Sequence, residues 1–280
     1  MQGQETLKKT QVNGTELHYI EQGEGDPLIF VHGSLGDYRA WALQIGPFSS
    51  RYHVIAYSRR YHYPNPWTGS GLDYTVDLHG GDLIGLIEAL GLGPVHAVGN
   101  SFGAYTILDA AKRRPDLLRK LVIGEPPIVS WLKQVPGGQV YWDAFYQNTW
   151  KPATQAFQAG DLEQGVRLFI EGVSGAEGVF ERLPEPVRQR MLDNAREMAA
   201  ETASSEYFTG LTTAQVAQIT NPMLLLRGER SPKMFHLIVD RIVECLPSAR
   251  LFTIPAASHS LPSDNPPVYN QVAMDFLAQK

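Results

Sequence analysis

The chain has 280 residues, 43% of them hydrophobic and 19% charged, which supplies a sizeable buried core and rules out a disordered chain. Its formal charge of −5, from 24 basic and 29 acidic side chains, leaves no basic footprint for nucleic acid or an anionic membrane surface and favours a small or neutral partner. A single cysteine, Cys245, excludes an internal disulfide framework and argues against a cysteine-built metal site.

Met1 to Thr10 is polar, carries Lys8 and Lys9, and has no apolar run of the signal-peptide kind, so a soluble, cytoplasmic protein is expected. Apolar stretches such as Met223 to Leu226 are too short to span a bilayer. Asn13-Gly14 lies between two alternating stretches and reads as a tight hairpin turn. Buried strands are expected at Pro27–Val31, His53–Tyr57, Val95–Val98, Leu121–Ile123, Met223–Leu226 and Leu251–Ile254. Helical patterns run at about Tyr74–Leu90, Phe102–Arg113, Phe235–Cys245 and Pro267–Ala278. Short apolar runs alternating with longer amphipathic segments predict an α/β fold with a mostly parallel, doubly wound sheet.

From about Pro127 to Ile219 the alternation stops and no convincing strand appears. Asp161 has the character of an N-cap, with Val166 and Phe169 following on one face. Val187, Met191, Ala195 and Met198 recur at helical spacing. This predicts a helical cap, residues 127–219, inserted between a core formed by 1–126 and 220–280. Trp131, Trp142, Phe145, Tyr146 and Trp150 crowd its start. That cluster reads either as a core for the cap or as one wall of an apolar pocket. On the second reading, Trp131, Trp142 and Tyr146 line the substrate pocket together with Leu35.

Gly99-Asn100-Ser101-Phe102-Gly103 matches G-x-S-x-G between a strand and a helix. A serine hydroxyl must be presented to a base before it can act as a nucleophile. A sharp strand-to-helix turn does this, and glycine two places either side is then a steric requirement. His32-Gly33-Ser34 follows an apolar strand, and the Ser34 and Phe102 backbone N–H groups together would form a two-donor oxyanion hole. Of eight histidines, His18, His53 and His96 lie within strands and read as structural. His62, His79 and His236 read as surface residues. His259 follows the last strand through a loop that can carry an imidazole over the edge of the sheet, and is the candidate base.

Together these residues resemble the α/β-hydrolase superfamily, and the resemblance covers the whole chain. The family's oxyanion turn H-G-x-x-G stands as His32-Gly33-Ser34-Leu35-Gly36, with Trp41 at a spacing common there. Its histidine loop is matched at His259, Asp264 and Pro266, with Ser258 in place of a glycine. The sequence departs from the family in two places. Where an aspartate usually follows the strand Met223–Leu226, the chain reads Gly228-Glu229-Arg230-Ser231. Some members, including haloalkane dehalogenases and zearalenone-type lactone hydrolases, carry the acid after the earlier strand. The resemblance therefore assigns Glu125, stiffened by Pro126-Pro127, as the third member beside Ser101 and His259, with Glu229 as runner-up. The second departure is Tyr57-Ser58-Arg59-Arg60-Tyr61-His62, where the family has D-x-R-G-x-G-x-S. Arg59 and Arg60 read as partners of surface carboxylates, or the bulky residues shape a pocket edge.

The resemblance implies hydrolysis of an ester or lactone of a small, largely apolar substrate through an acyl-enzyme on Ser101. No metal and no organic cofactor is required. Ser101 in place of aspartate argues against epoxide-hydrolase and dehalogenase chemistry. Carbon–carbon bond hydrolysis, cofactor-free dioxygenation and slow-turnover ligand binding are the alternatives on the same fold. Oligomeric state is not legible.

Overall fold

The computed structural model describes residues 6–204, 208 and 210–279. Among the described residues eight strands form one sheet: β1 (Lys8–Val12), β2 (Thr15–Gln22), β3 (Asp26–Val31), β4 (Tyr52–Tyr57), β5 (Val95–Asn100), β6 (Leu118–Gly124), β7 (Met223–Gly228) and β8 (Arg250–Ile254). Their order is β1-β2-β4-β3-β5-β6-β7-β8. The first two strands make an antiparallel hairpin, and β2 also runs antiparallel to β4; from β4 to β8 every pairing is parallel. Asn13 and Gly14 turn the hairpin with φ of 46° and 76°, the left-handed pair that a two-residue turn demands.

The inner parallel strands are largely apolar because both faces are covered, whereas β8 at the edge is mostly exposed. On β3, Ile29 and Val31 face one layer, with Leu83, Ile107 and Ile238 from the helices Val76–Ala89, Phe102–Arg113 and Lys233–Cys245. Leu28 and Phe30 face the other, with Phe48 from the helix Ala42–Ser49 and Phe276 from Pro266–Ala278. The expected strand at Leu121–Ile123 starts three residues earlier. Arg119 and Lys120 hide it in the sequence: Arg119 pairs with Asp26 at 2.8 Å, and Lys120 donates to the Phe276 and Leu277 carbonyls. Strands β5, β6 and β7 also run one or two residues beyond their apolar cores, and those added residues carry the site.

Between β6 and β7 the described residues form helices and turns without a strand. Asp161 caps the helix Leu162–Ser174, its carboxylate accepting the Gln164 N–H at 3.1 Å. The periodic stretch from Val187 to Met198 is two helices, Glu185–Asp193 and Ala195–Ala203. They part at Asn194, whose side chain donates to Asp37 at 2.8 Å and accepts from the Tyr63 N–H at 2.8 Å, tying the break to the core. Trp131, Trp142, Phe145 and Trp150 join the same apolar cluster as the sheet's helices. No helix among the described residues is long and apolar enough to cross a membrane.

Candidate active site

The site stands at the carboxyl ends of β5, β6, β7 and β8, where a parallel sheet leaves a crevice. Ser101 leaves β5 with φ 55° and ψ −130°, a conformation rare for an L-residue, and opens the helix Phe102–Arg113 without capping it. The flanking glycines are forced. A Cβ on Gly103 would lie 2.0 Å from the Val31 carbonyl oxygen, and one on Gly99 would lie 2.8 Å from the Ala104 nitrogen. The turn is pinned by the Ser101 N–H donating to the Gly124 carbonyl at 2.8 Å.

Ser101 Oγ lies 2.9 Å from His259 Nε2, and His259 Nδ1 lies 2.7 Å from Glu125 Oε2. The second Glu125 oxygen accepts the Gly228 N–H at 2.8 Å. Glu125 is fully buried and also holds a positive φ, 42°. The imidazole stacks on the Phe235 ring at 3.8 Å between centroids, and Asn100 Nδ2 donates to the His259 carbonyl at 3.0 Å. With Glu125 ionised, Nδ1 carries the proton and donates to it, which leaves Nε2 to accept from Ser101. Three groups 24 and 134 residues apart along the chain thus form one hydrogen-bonded relay.

Glu229 lies elsewhere: it is exposed and accepts the Ala256 N–H at 2.8 Å. Asp264 accepts the Ser258 N–H at 2.8 Å and so shapes the loop that carries His259. Ser231, in the turn after β7, is buried with its hydroxyl unbonded.

The turn His32–Gly36 packs directly on the serine, since a Cβ on Gly33 would sit 2.9 Å from Ser101 Cβ. Ser34 lines the cavity with Ser101, and Phe102 is the first helical residue, where N–H groups point off the helix end. Two histidines brace the turn. His32 Nε2 accepts the Arg59 N–H at 2.9 Å, so its Nδ1 donates to the Gly33 carbonyl at 2.8 Å. His62 Nδ1 donates to the Gly36 carbonyl at 2.7 Å.

His62 and His79 are therefore not surface residues; both are wholly buried. Burial pushes His32, His62 and His79 below the ordinary histidine range; neighbouring positive charges add to it at His32 and His79, while at His62 the Glu197 carboxylate opposes it in part. Arg59 and Arg60 are also buried, contrary to the surface reading. Arg59 lies over the Phe102 ring and donates to the His32 carbonyl, while Arg60 grips Asp82 with two bonds of 2.6 and 2.7 Å. From the helix Ala195–Ala203, Glu197 accepts the Leu35 N–H at 3.2 Å and bonds the Tyr74 hydroxyl. Burial would raise Glu197, but His62 and Arg59 outweigh it and hold its carboxyl low; burial and the Glu197 charge push the carboxyl of its buried neighbour Glu201 well up. The sequence offered no sign of this network beyond the departure at Ser58–Tyr61.

Ser101, His259, Ser34 and Leu35 line a chamber of about 120 Å³. It shares Ile170, Arg190, Met191 and Ser260 with a wider chamber of about 900 Å³ that is mostly apolar. Phe145, Phe169 and Met234 close the inner side. Trp131, Trp142 and Tyr146 line none of these spaces. Trp131 is buried with its Nε1–H donating to the Leu211 carbonyl at 2.7 Å, and Trp142 stacks on Tyr146 and meets Phe208 edge-on. Trp131, Trp142 and Tyr146 are packing, while Phe145 and the helices Leu162–Ser174 and Glu185–Asp193 supply the pocket wall. No group of His, Cys, Asp and Glu among the described residues is arranged to hold a metal ion.

Residues 28–272 match the model of the alpha/beta hydrolase family. The chain is 35% identical over 115 residues to (E)-2-((N-methylformamido)methylene)succinate hydrolase of Acinetobacter baylyi, a match spanning 40% of this chain and 41% of that protein. It is 24% identical to epoxide hydrolase 3 of Mus musculus over 95% of this chain and 74% of the relative. Among solved structures, the enol-lactonase of Burkholderia xenovorans superposes with a TM-score of 0.78 at 19% identity, over 97% of this chain and all of that one.

Proposed function

The chain belongs to the alpha/beta hydrolase family, and within it we propose a serine hydrolase that cleaves an ester or lactone of a small, largely apolar molecule. Ser101 Oγ attacks the carbonyl carbon while His259 Nε2 takes its proton. Glu125 keeps the proton on Nδ1 and stabilises the imidazolium. The Ser34 and Phe102 N–H groups receive the developing oxyanion, each worth roughly 3 kcal/mol of barrier. His259 then protonates the leaving alkoxide, which departs as the alcohol. Afterwards it takes a proton from water as the hydroxyl attacks the acyl-enzyme, releasing the acid and restoring Ser101. Residues 127–219 act as the cap over a core of 1–126 and 220–280.

The observation that carries this reading is the Ser101–His259–Glu125 relay, with bonds of 2.9 and 2.7 Å at the floor of an apolar cavity. The mouse relative's name is epoxide hydrolase, a chemistry that forms its intermediate on a carboxylate; Ser101 at that position favours acyl transfer. The enol-lactonase and the succinate hydrolase, by their names, fit it better.

A fluorophosphonate probe should label the protein at Ser101, and Ser101→Ala should lose both labelling and at least about 10⁴-fold of aryl-ester turnover while staying folded. Turnover by that variant at the rate of the unaltered protein would sink the proposal.

A further inference from the structure

One charged group in the cavity has no task in the reaction above. Arg190, near the end of the helix Glu185–Asp193, lines both the chamber around Ser101 and the wider apolar chamber. Its Nε is shut off from solvent and finds no acceptor. Among the described residues its guanidinium makes no ion pair, and none of its nitrogens caps the carbonyls at the helix end.

The nearby carboxylates are already committed. Asp37 accepts from Arg39 through both oxygens, and from Asn194. Asp193 accepts from Gln189 and Arg39. Among the described residues no acidic side chain lines the inner chamber, and its one permanent charge is Arg190. Burial works against that charge, and Asp37 offsets it only in part. Arg39 and Asp264 line the wider chamber, but on the inner side a half-buried guanidinium with no charged neighbour in the lining is costly unless an anion meets it, and its planar fork matches a carboxylate.

Resting on the hydrolase reading above, we propose that Arg190 binds a carboxylate carried by the substrate, so that the preferred substrates are esters or lactones bearing a second, ionised carboxyl group. The carboxylate sits at the junction of the two chambers, within reach of the space in front of Ser101. The uncharged remainder occupies the wide chamber among Leu43, Val179, Leu183 and Val187.

Monophenyl glutarate and phenyl pentanoate differ chiefly in the terminal carboxylate. The ratio of their kcat/KM values should favour the anionic ester at least tenfold. Arg190→Met should erase that preference, mainly through KM, and Arg190→Lys should restore part of it. Independently of turnover, glutarate should bind the Ser101→Ala protein by titration calorimetry and fail to bind Ser101→Ala/Arg190→Met. A ratio near one in the unaltered protein, or one that Arg190→Met leaves unchanged, overturns the assignment, and so does equal glutarate binding by the two proteins. Should Arg190→Met fail to fold, as judged by circular dichroism, Arg190→Gln takes its place. If neither ester is cleaved but glutarate binding still depends on Arg190, the anion site stands and the hydrolase reading falls.

Discussion

The two walls of the cavity are built on opposite principles. Beneath Ser101, the strand ends and the His32–Gly36 turn are held by bonds made to backbone atoms. His32 and His62 hold the Gly33 and Gly36 carbonyls, Glu125 holds the Gly228 N–H, and Glu197 holds the Leu35 N–H. Above it, the helices Leu162–Ser174 and Glu185–Asp193 present Ile170, Val173 and Met191 with a single guanidinium between them. Hydrogen bonds fix direction and apolar contacts do not. The lower wall therefore sets the geometry of the chemistry, while the upper wall selects by shape and by one charge.

The largest effect should come from the lower wall. Glu125→Gln removes the acceptor that holds the His259 tautomer and should cost about 10³–10⁴ in kcat, whereas Glu229→Gln should change it less than about threefold. The reverse pattern in steady-state kinetics would move the acid to Glu229. Next comes the buried pair behind the turn. Asp82→Ala strands Arg60 in a site with 9% of its side chain exposed and should cost about 3–5 kcal/mol in denaturant unfolding. A loss under about 1 kcal/mol would mean that the brace is not needed for stability.

A smaller effect follows from the buried histidines. Their folded values lie below the ordinary 6.5, and that of His96 is about 4. The unfolded chain therefore binds more protons in this range. Their neutral state stabilises the fold above about pH 6.5, and that stability is lost as pH falls toward 4. The thermal midpoint should drop over that interval. His79→Phe, which removes two unbonded ring nitrogens, should flatten the slope. An equally steep slope in that variant would exclude His79 as a contributor. The smallest effect belongs to the upper wall: Met191→Ala should shift KM for apolar esters by only about two- to fivefold and leave stability within about 1 kcal/mol, because Met191 is only partly buried. A loss of kcat beyond tenfold would show that the upper wall also positions the reacting atoms.

The parallel sheet was legible because its strands are apolar on both faces and bounded by turn residues. The Gly99–Gly103 elbow was legible because its glycines are sterically compelled. Glu125 needed the resemblance, since nothing in a lone Glu-Pro-Pro says which loop it will meet. The upper wall was misread. Trp131, Trp142 and Tyr146 look like pocket residues by type, yet aromatic side chains serve a core equally well, and here they pack away from Ser101. Arg59, Arg60, His62 and His79 look like surface residues by polarity, yet each lies buried, and all but His79 are held by hydrogen bonds formed through the fold.

The sequence by itself determined the order of strands and helices, the serine turn and its glycine neighbours, because these follow from local periodicity and local sterics. Only the tertiary structure decided which carboxylate meets His259, which residues face the cavity and which charges are neutralised inside. Those depend on contacts between distant segments, as between Leu35 and Glu197, 162 positions apart, and no local pattern encodes a distance across the folded chain.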